Sequence, residues 1–333
     1  MRGALRVLAG LAWAYLAALV AFALLVVLVG ERSWAGSVAL YLPRLPLLLP
    51  LVALAPLAWD RARRRLVGAQ AAFAMAVVLW LAGLHVSWPR GTSGAPSVRV
   101  LSYNVWYGKR DLDAIEREVL AADAGVIVLQ AARPVVAERL RDRLGASWSF
   151  VVRGEFVVAS RYPIVTCGPA GEGAGHLACT IDTPLGLVDL FDFHPVSPRP
   201  GLNMMFHQSK KRVLTEGPSD ESMDTVASNT VSRERQATAL AEAIAAAKNP
   251  VLVAGDTNLP ERSSLFRAHF GGLRDGFAEA GTGFGYTFPA NRWFPWMRID
   301  RILSGPELRF TSFTVGGKDG SDHRPVWADI ERP

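Results

Sequence analysis

Two hydropathy patterns follow one another along the chain. From Leu5 to Gly30 the residues are apolar apart from Arg6 near the start. Such a run is long enough for a helix across the hydrocarbon core of a bilayer and too long for the apolar part of a signal peptide. A second apolar run, from about Val38 to Trp59, is broken by Arg44 and by Pro43, Pro46, Pro50 and Pro56, and a third goes from Leu66 to Val86. Three transmembrane helices are expected over residues 1–90. The stretch "RGTSGAPS", Arg90 to Ser97, has small residues and no periodicity, which predicts a linker over 91–97.

Beyond the linker, short apolar strands alternate with amphipathic stretches. "VRVLSYNVW" predicts a strand, "DLDAIEREVLAAD" a helix with Leu112, Ile115, Val119 and Leu120 on one face, and "GVIVLQ" a buried strand. A helix is expected around Val135 to Leu144, strands at "WSFVVR" and "EFVVAS", a hairpin from "ACTIDTP" to "GLVDLFDFH", and a helix from Ser232 to Ala247. Strands at "PVLVAGD", "RIDRILSG", "ELRFTSFTV" and "PVWADIE" close the chain. Mixed strands with few helices between them predict a two-layer sheet sandwich covered by helices, an α/β (α+β) domain over 98–333. Within it, residues 199–230 are polar and aperiodic and predict an irregular insertion, either a lid over a site at the membrane surface or a solvated loop.

Charge orients the apolar runs. Arg2 and Arg6 precede the first, and "DRARRR" with Arg61, Arg63, Arg64 and Arg65 separates the second from the third. Lys and Arg collect on the cytoplasmic side of short loops, so the N-terminus and this loop are expected inside and everything after Trp88 outside the cytoplasmic membrane. The net charge of +6 divides unevenly: residues 1–90 hold 9 Lys and Arg against 2 Asp and Glu, and the rest 27 against 28. The basicity belongs to the anchor. A domain at −1 lacks the overall charge that usually drives binding to a phosphate backbone, so nucleic acid is not an expected partner. Cys167 and Cys179, twelve residues apart across a Gly-rich loop, either close a hairpin as a disulfide or pack as two small hydrophobes.

Polar residues stand at the ends of strongly apolar strands in four places. Asp256 and Asn258 follow "VLVAG"; Asp300 sits in "RIDRIL"; Asp322 and His323 precede "RPVWADI"; Asn104 lies in "LSYNVWYG". Each has an ordinary explanation in a turn, a cap or an ion pair. Together they describe an imidazole tuned by carboxylates beside oxygen donors suited to Mg²⁺ or Mn²⁺, the set needed for attack of water on phosphorus.

With these pieces in view, the sequence resembles the endonuclease/exonuclease/phosphatase superfamily, which includes DNase I, inositol polyphosphate phosphatases and sphingomyelinases. "LSYNVWYG", "VIVLQ", "ASRYPI", "FDFHP", "VLVAGDTN", "RIDRIL" and "SDHRPV" occur in the family's order over about residues 97–331. The N-terminal spans resemble a membrane-anchored bacterial branch that includes proteins associated with teicoplanin resistance. The resemblance implies a DNase I-like four-layered α/β sandwich. It implies that Asn104 helps bind a divalent metal with Asp322 on the metal side. Asp256 would orient or deprotonate water, Asn258 hold a phosphate oxygen, His194 contact the phosphate, and Asp300 hold His323. Arg235 and Gln236 are expected to be surface residues.

One position departs from the family pattern "LQE": the chain reads "LQA", with Ala131 where the main metal-binding glutamate stands. Gln130 is expected to point away from the site because neighbouring strand residues face opposite sides. Glu138 lies too far along the next helix. Glu155, on a nearby strand, and Asp192, on the face of His194, are the substitutes to examine. Three readings follow. The first is a membrane-anchored, extracytoplasmic, divalent-metal-dependent hydrolase of phosphodiester, phosphomonoester or pyrophosphate bonds, on a lipid-linked or small soluble phosphate. The second, suggested by Ala131, is a non-catalytic member of the fold that binds a phosphorylated ligand or a protein. The third is a nuclease, disfavoured by the domain's charge and by the lack of a basic, aromatic-interleaved stretch.

Overall fold

The computed structural model describes residues 2–54, 64–87, 94–169, 171, 173–207 and 219–333. Two six-stranded sheets face each other in its larger part. The first has the order β13-β14-β2-β3-β5-β4, with β2 Ser97–Asn104, β3 Val126–Gln130, β4 Ser149–Arg153, β5 Phe156–Ser160, β13 Arg309–Val315 and β14 Val326–Glu331. The second has the order β10-β12-β9-β8-β7-β6, with β6 Ile164–Pro169, β7 His176–Thr183, β8 Gly186–Phe193, β9 Val251–Asp256, β10 Arg274–Asp275 and β12 Asp300–Ser304. The central strands β3, β9 and β12 are buried at every residue. Covered on both faces, they read as continuous apolar runs rather than alternations.

Three apolar layers explain the stacking. Val100, Val128, Leu190, Ala254 and Ile302 meet between the sheets. Leu101, Ile127 and Leu129 point the other way, under helices Leu112–Ala121 and Pro134–Leu144. On the far side, Phe193, Val253 and Leu303 pack under helices Asp220–Ala245 and Ser264–Phe270. Helix, sheet, sheet and helix make the DNase I-like four-layered sandwich. Cys167 and Cys179 stand opposite each other in the β6–β7 register and are joined by a disulfide.

The segment 199–230 differs from expectation. It contains helix Arg199–His207 and the start of helix Asp220–Ala245, which begins well before Ser232; residues 208–218 of the insertion lie outside the described residues. Ser219 caps the long helix by accepting from the Ser222 N–H, and Asp220 and Glu221 follow at the positive end of its dipole. That cap is readable in "SDES"; the helix has no apolar stripe there to announce it.

Among the described residues, two N-terminal helices are long and apolar enough to cross a membrane, Gly3–Arg32 and Arg64–Leu81, or three if the bent pair that follows counts as one span. The second apolar run is not one straight helix: Trp34–Tyr41 and Leu45–Ala53 meet at 85° around the Pro43 break. The loop "DRARRR" up to Arg63, and the linker up to Ser93, lie outside the described residues. One end of this helical part grips the sandwich. Glu31 accepts from the Ser264 backbone N–H at 3.0 Å, Arg44 donates to the Glu261 carbonyl at 3.1 Å, and Tyr286 donates to the Ala82 carbonyl at 2.7 Å. Strand β1, His85–Val86, pairs with β11, Thr282–Gly283. The third apolar run thus ends as a strand on the domain.

Candidate active site

Parallel pairing of β2 with β3 and of β8 with β9 brings four strand ends to one rim, carrying Asn104, Ala131, His194 and Asp256. Antiparallel β12 starts at that rim, with Asp300 directly opposite Asp256, and the loop before β14 adds Asp322 and His323. Gly255 permits the close approach: a Cβ there would lie 2.0 Å from the Phe193 carbonyl oxygen. The sequence-expected residues therefore share one place.

Asp256 is the centre. Its Oδ1 accepts from the Asn258 N–H at 2.9 Å, and its Oδ2 accepts from Asn104 Nδ2 at 2.9 Å. The same Oδ2 lies 3.6 Å from His194 Nε2 and 3.6 Å from His323 Nε2. Each imidazole is held from behind by a carboxylate. Asp300 lies 3.0 Å from His323 Nδ1, and Glu155 lies 3.0 Å from His194 Nδ1 while also accepting from the Tyr107 hydroxyl at 3.1 Å. Burial by itself lowers the His323 imidazole, but Asp300 and Asp256 outweigh it and raise it to about 9. His194 is likewise raised, the hydrogen bond to Glu155 and the charge of Asp256 overcoming burial. Asp300 is raised by burial and by Asp256 against the pull of His323. Burial pushes Glu155 up, and the bonds from His194 and Tyr107 bring it below its ordinary value.

Asn258 adopts a left-handed φ of 50°, tolerated by Asn better than by most residues, and donates its side-chain amide to the Pro195 carbonyl at 3.0 Å. Asp322 accepts from Arg199 at 2.9 Å. A cleft of about 530 Å³ lined by Tyr41, Asn258, Phe288, Arg199, Asp322 and His323 opens on this side. A second cleft, of about 830 Å³, runs past Glu155 and His194.

Around Ala131 the structure corrects two sequence arguments. Ala131 has φ 48° and has left the strand, so alternation stops there. Gln130 faces the space between the sheets, on the side of its register partner Asn104, and donates to Asp192 at 2.7 Å. Asp192 is fully buried beneath the site; its second carboxylate oxygen has no hydrogen-bond partner among the described residues, and burial raises the group well above its ordinary value. It serves Gln130. Glu155 serves His194. Glu138 is exposed on its helix. Gln236 is more than a surface residue: it accepts from the Val196 N–H and donates to the Gly173 carbonyl, fixing the loop after His194, whereas Arg235 is exposed. Tyr41, Tyr107 and Arg199 border the site without a sequence signal that marked them.

A profile of the Endonuclease/Exonuclease/phosphatase family matches residues 101–323, which include Asp256, both imidazoles and both backing carboxylates. The chain belongs to that family. Among solved endonuclease/exonuclease/phosphatase structures, one from Beutenbergia cavernae is 17% identical with a TM-score of 0.50, over 71% of this chain and 72% of that one. One from Bacteroides vulgatus is 15% identical with a TM-score of 0.51, over 72% and 100%. Humanized D. rerio TDP2 is 18% identical with a TM-score of 0.50, over 71% and 99%. Likeness at this level speaks to the fold. A search of curated proteins finds no match.

Endonuclease/exonuclease/phosphatase enzymes typically depend on a divalent metal, and Asp256, Asp300 and His323 bring ligand atoms within 4.8 Å of one another. Two of those three are already committed to each other as the His323–Asp300 pair. Toward a cation there remain Asp256, Asp322, whose charge Arg199 offsets, and the Asn104 side-chain oxygen, which also accepts from the Trp106 N–H, with a methyl group at 131. This oxygen set fits a hard divalent ion that keeps much of its water, and does not fit a tightly held one.

Proposed function

We propose that the chain is a membrane-anchored hydrolase of phosphoester or pyrophosphate bonds, acting outside the cytoplasmic membrane on a lipid-linked or small soluble phosphate. The observation that carries this reading is the carboxylate of Asp256 set between two carboxylate-backed imidazoles, each Nε2 at 3.6 Å. Asp256 accepts the proton of the attacking water. His194 and His323, each backed at Nδ1 by a carboxylate, donate from Nε2 to phosphate oxygens and stabilise the charge that builds there. Asn258 adds a hydrogen bond to the same group. A Mg²⁺ or Mn²⁺ ion held by Asn104 and Asp322 would neutralise phosphate charge. The outward orientation is supported by the placement of the basic residues: Arg64 and Arg65 begin the helix whose other end, at Trp80 to Ala82, meets the domain.

Ala131 favours a second reading, a phosphate-binding member of the fold without turnover. The full chain, purified in detergent, decides between them. Hydrolysis of bis(p-nitrophenyl) phosphate and of a lipid pyrophosphate is followed while Mg²⁺ or Mn²⁺ is titrated. Turnover that His323→Ala abolishes supports the hydrolase. No turnover at millimolar Mn²⁺, with turnover created by Ala131→Glu, overturns it.

A further inference from the structure

We propose that Tyr41, contributed by the apolar N-terminal segment, is a positioning residue of the active site. The proposal rests on the hydrolase reading and extends the site beyond the matched domain. The Tyr41 hydroxyl donates to the Asn258 carbonyl oxygen at 2.8 Å and accepts from Arg233. Its own carbonyl accepts from Trp296 Nε1 at 3.1 Å. Arg233 is a buried cation, spent on Asn229, Thr230 and Tyr41, so the hydroxyl is oriented: its lone pair faces the guanidinium and its proton points at Asn258.

The contact falls where the active-site backbone is strained. Asn258 is a buried residue at φ 50°, a conformation that costs a non-glycine residue free energy and persists only where its surroundings impose it. From the side of Asp256, the restraint is the bond from the Asn258 N–H. From the other side it is Tyr41, without which a buried carbonyl loses its partner. The grip continues along the loop. Arg44 donates to the Glu261 carbonyl, Arg262 donates to the Trp80 carbonyl at 2.9 Å, and Glu31 accepts from Ser263 and Ser264. The segment running from the central carboxylate therefore sits on the membrane part at each step. Tyr41 also lines the cleft that holds His323 and Asp322. A phosphate reaching Asn258 passes the end of a helix that the chain's apolar segment supplies. The N-terminal segment thus does more than tether: it sets the angle at which Asn258 meets the phosphate.

The test uses the full chain in detergent with bis(p-nitrophenyl) phosphate and Mn²⁺, and compares Tyr41→Phe, Asn258→Ala and the double variant. The expected result is a kcat lower by about tenfold in Tyr41→Phe with KM within about twofold. In the Asn258→Ala background, Tyr41→Phe is expected to change nothing further, because a residue that acts through Asn258 has nothing left to position. An unchanged kcat in Tyr41→Phe, or a loss that multiplies with that of Asn258→Ala, overturns the proposal. Hydrogen exchange separates its failure from that of the hydrolase reading. If the wild-type chain shows no turnover that depends on His323, the hydrolase reading fails. Faster amide exchange over 257–262 in Tyr41→Phe then still supports the restraint, and unchanged exchange overturns it.

Discussion

The two imidazole pairs that flank Asp256 have the same chemistry and unlike settings. His323 and Asp300 are closed in, with side-chain exposures of 4% and 0%, and Asp300 belongs to a strand buried along its whole length. His194 and Glu155 are more open, at 13% and 32%, and both sit just beyond or between strands rather than within them. Asp300 is further fixed by its register with Asp256 and by an N–H bond to Thr287 Oγ1. Glu155 has Tyr107 on its other oxygen and borders the larger cleft. A charge held in a dry, rigid setting is pre-organised and needs no rearrangement when the transition state forms. A charge at the rim is screened and adjusts to what binds. The buried pair is therefore expected to set the site's charge and stability, and the open pair to follow the ligand.

The largest expected difference is in catalysis. His323→Ala is expected to lower kcat by about 10³-fold and His194→Ala by about 10²-fold, the middle and the lower end of the range for a positioned proton donor; steady-state rates on bis(p-nitrophenyl) phosphate check both. Equal losses would erase the distinction. Stability comes next. Asp300→Asn strips a buried imidazolium of its partner and is expected to cost about 3 kcal/mol or more, whereas Glu155→Gln at the open pair is expected to cost less than about 1 kcal/mol, read as melting temperature. A smaller effect concerns the cation. Ala131→Glu, at a position 3% exposed and next to Ala132, whose N–H donates to the Glu155 carbonyl, is expected to tighten Mn²⁺ binding by about tenfold in calorimetry. Smallest is Tyr107→Phe, which frees one Glu155 oxygen and is expected to change kcat by about threefold or less while leaving the melting temperature alone.

Much of the site could be read from the chain because its residues terminate strands whose apolar runs are unmistakable. Asp256 after "VLVAG" and His323 before "RPVWADI" need no distant contact to be placed at a sheet rim. What could not be read depends on contacts far apart in sequence. Glu155 meets His194 across 39 residues, and Tyr41 meets Asn258 across 217. Local pattern carries no trace of either. Gln130 departs from the expectation for a different reason: alternation holds only while the strand continues, and the positive φ of Ala131 ends it. The long helix from Asp220 was hidden by its polarity, and only its cap gave it away.

The measurement closest to the account's centre is an NMR titration of the imidazoles in the full chain, followed with Asp300→Asn and Glu155→Gln. A His323 raised to about 9 against about 6.5 in an unfolded chain contributes stability that is full below about pH 6.5 and is lost as pH rises through about 9. Asp300, raised by burial and by Asp256 against the pull of His323, is the other half of that pair. The His323 resonance is expected to titrate near 9, to fall sharply in Asp300→Asn and to stay unmoved in Glu155→Gln. A His323 that titrates at the ordinary histidine value in the wild-type chain would contradict it.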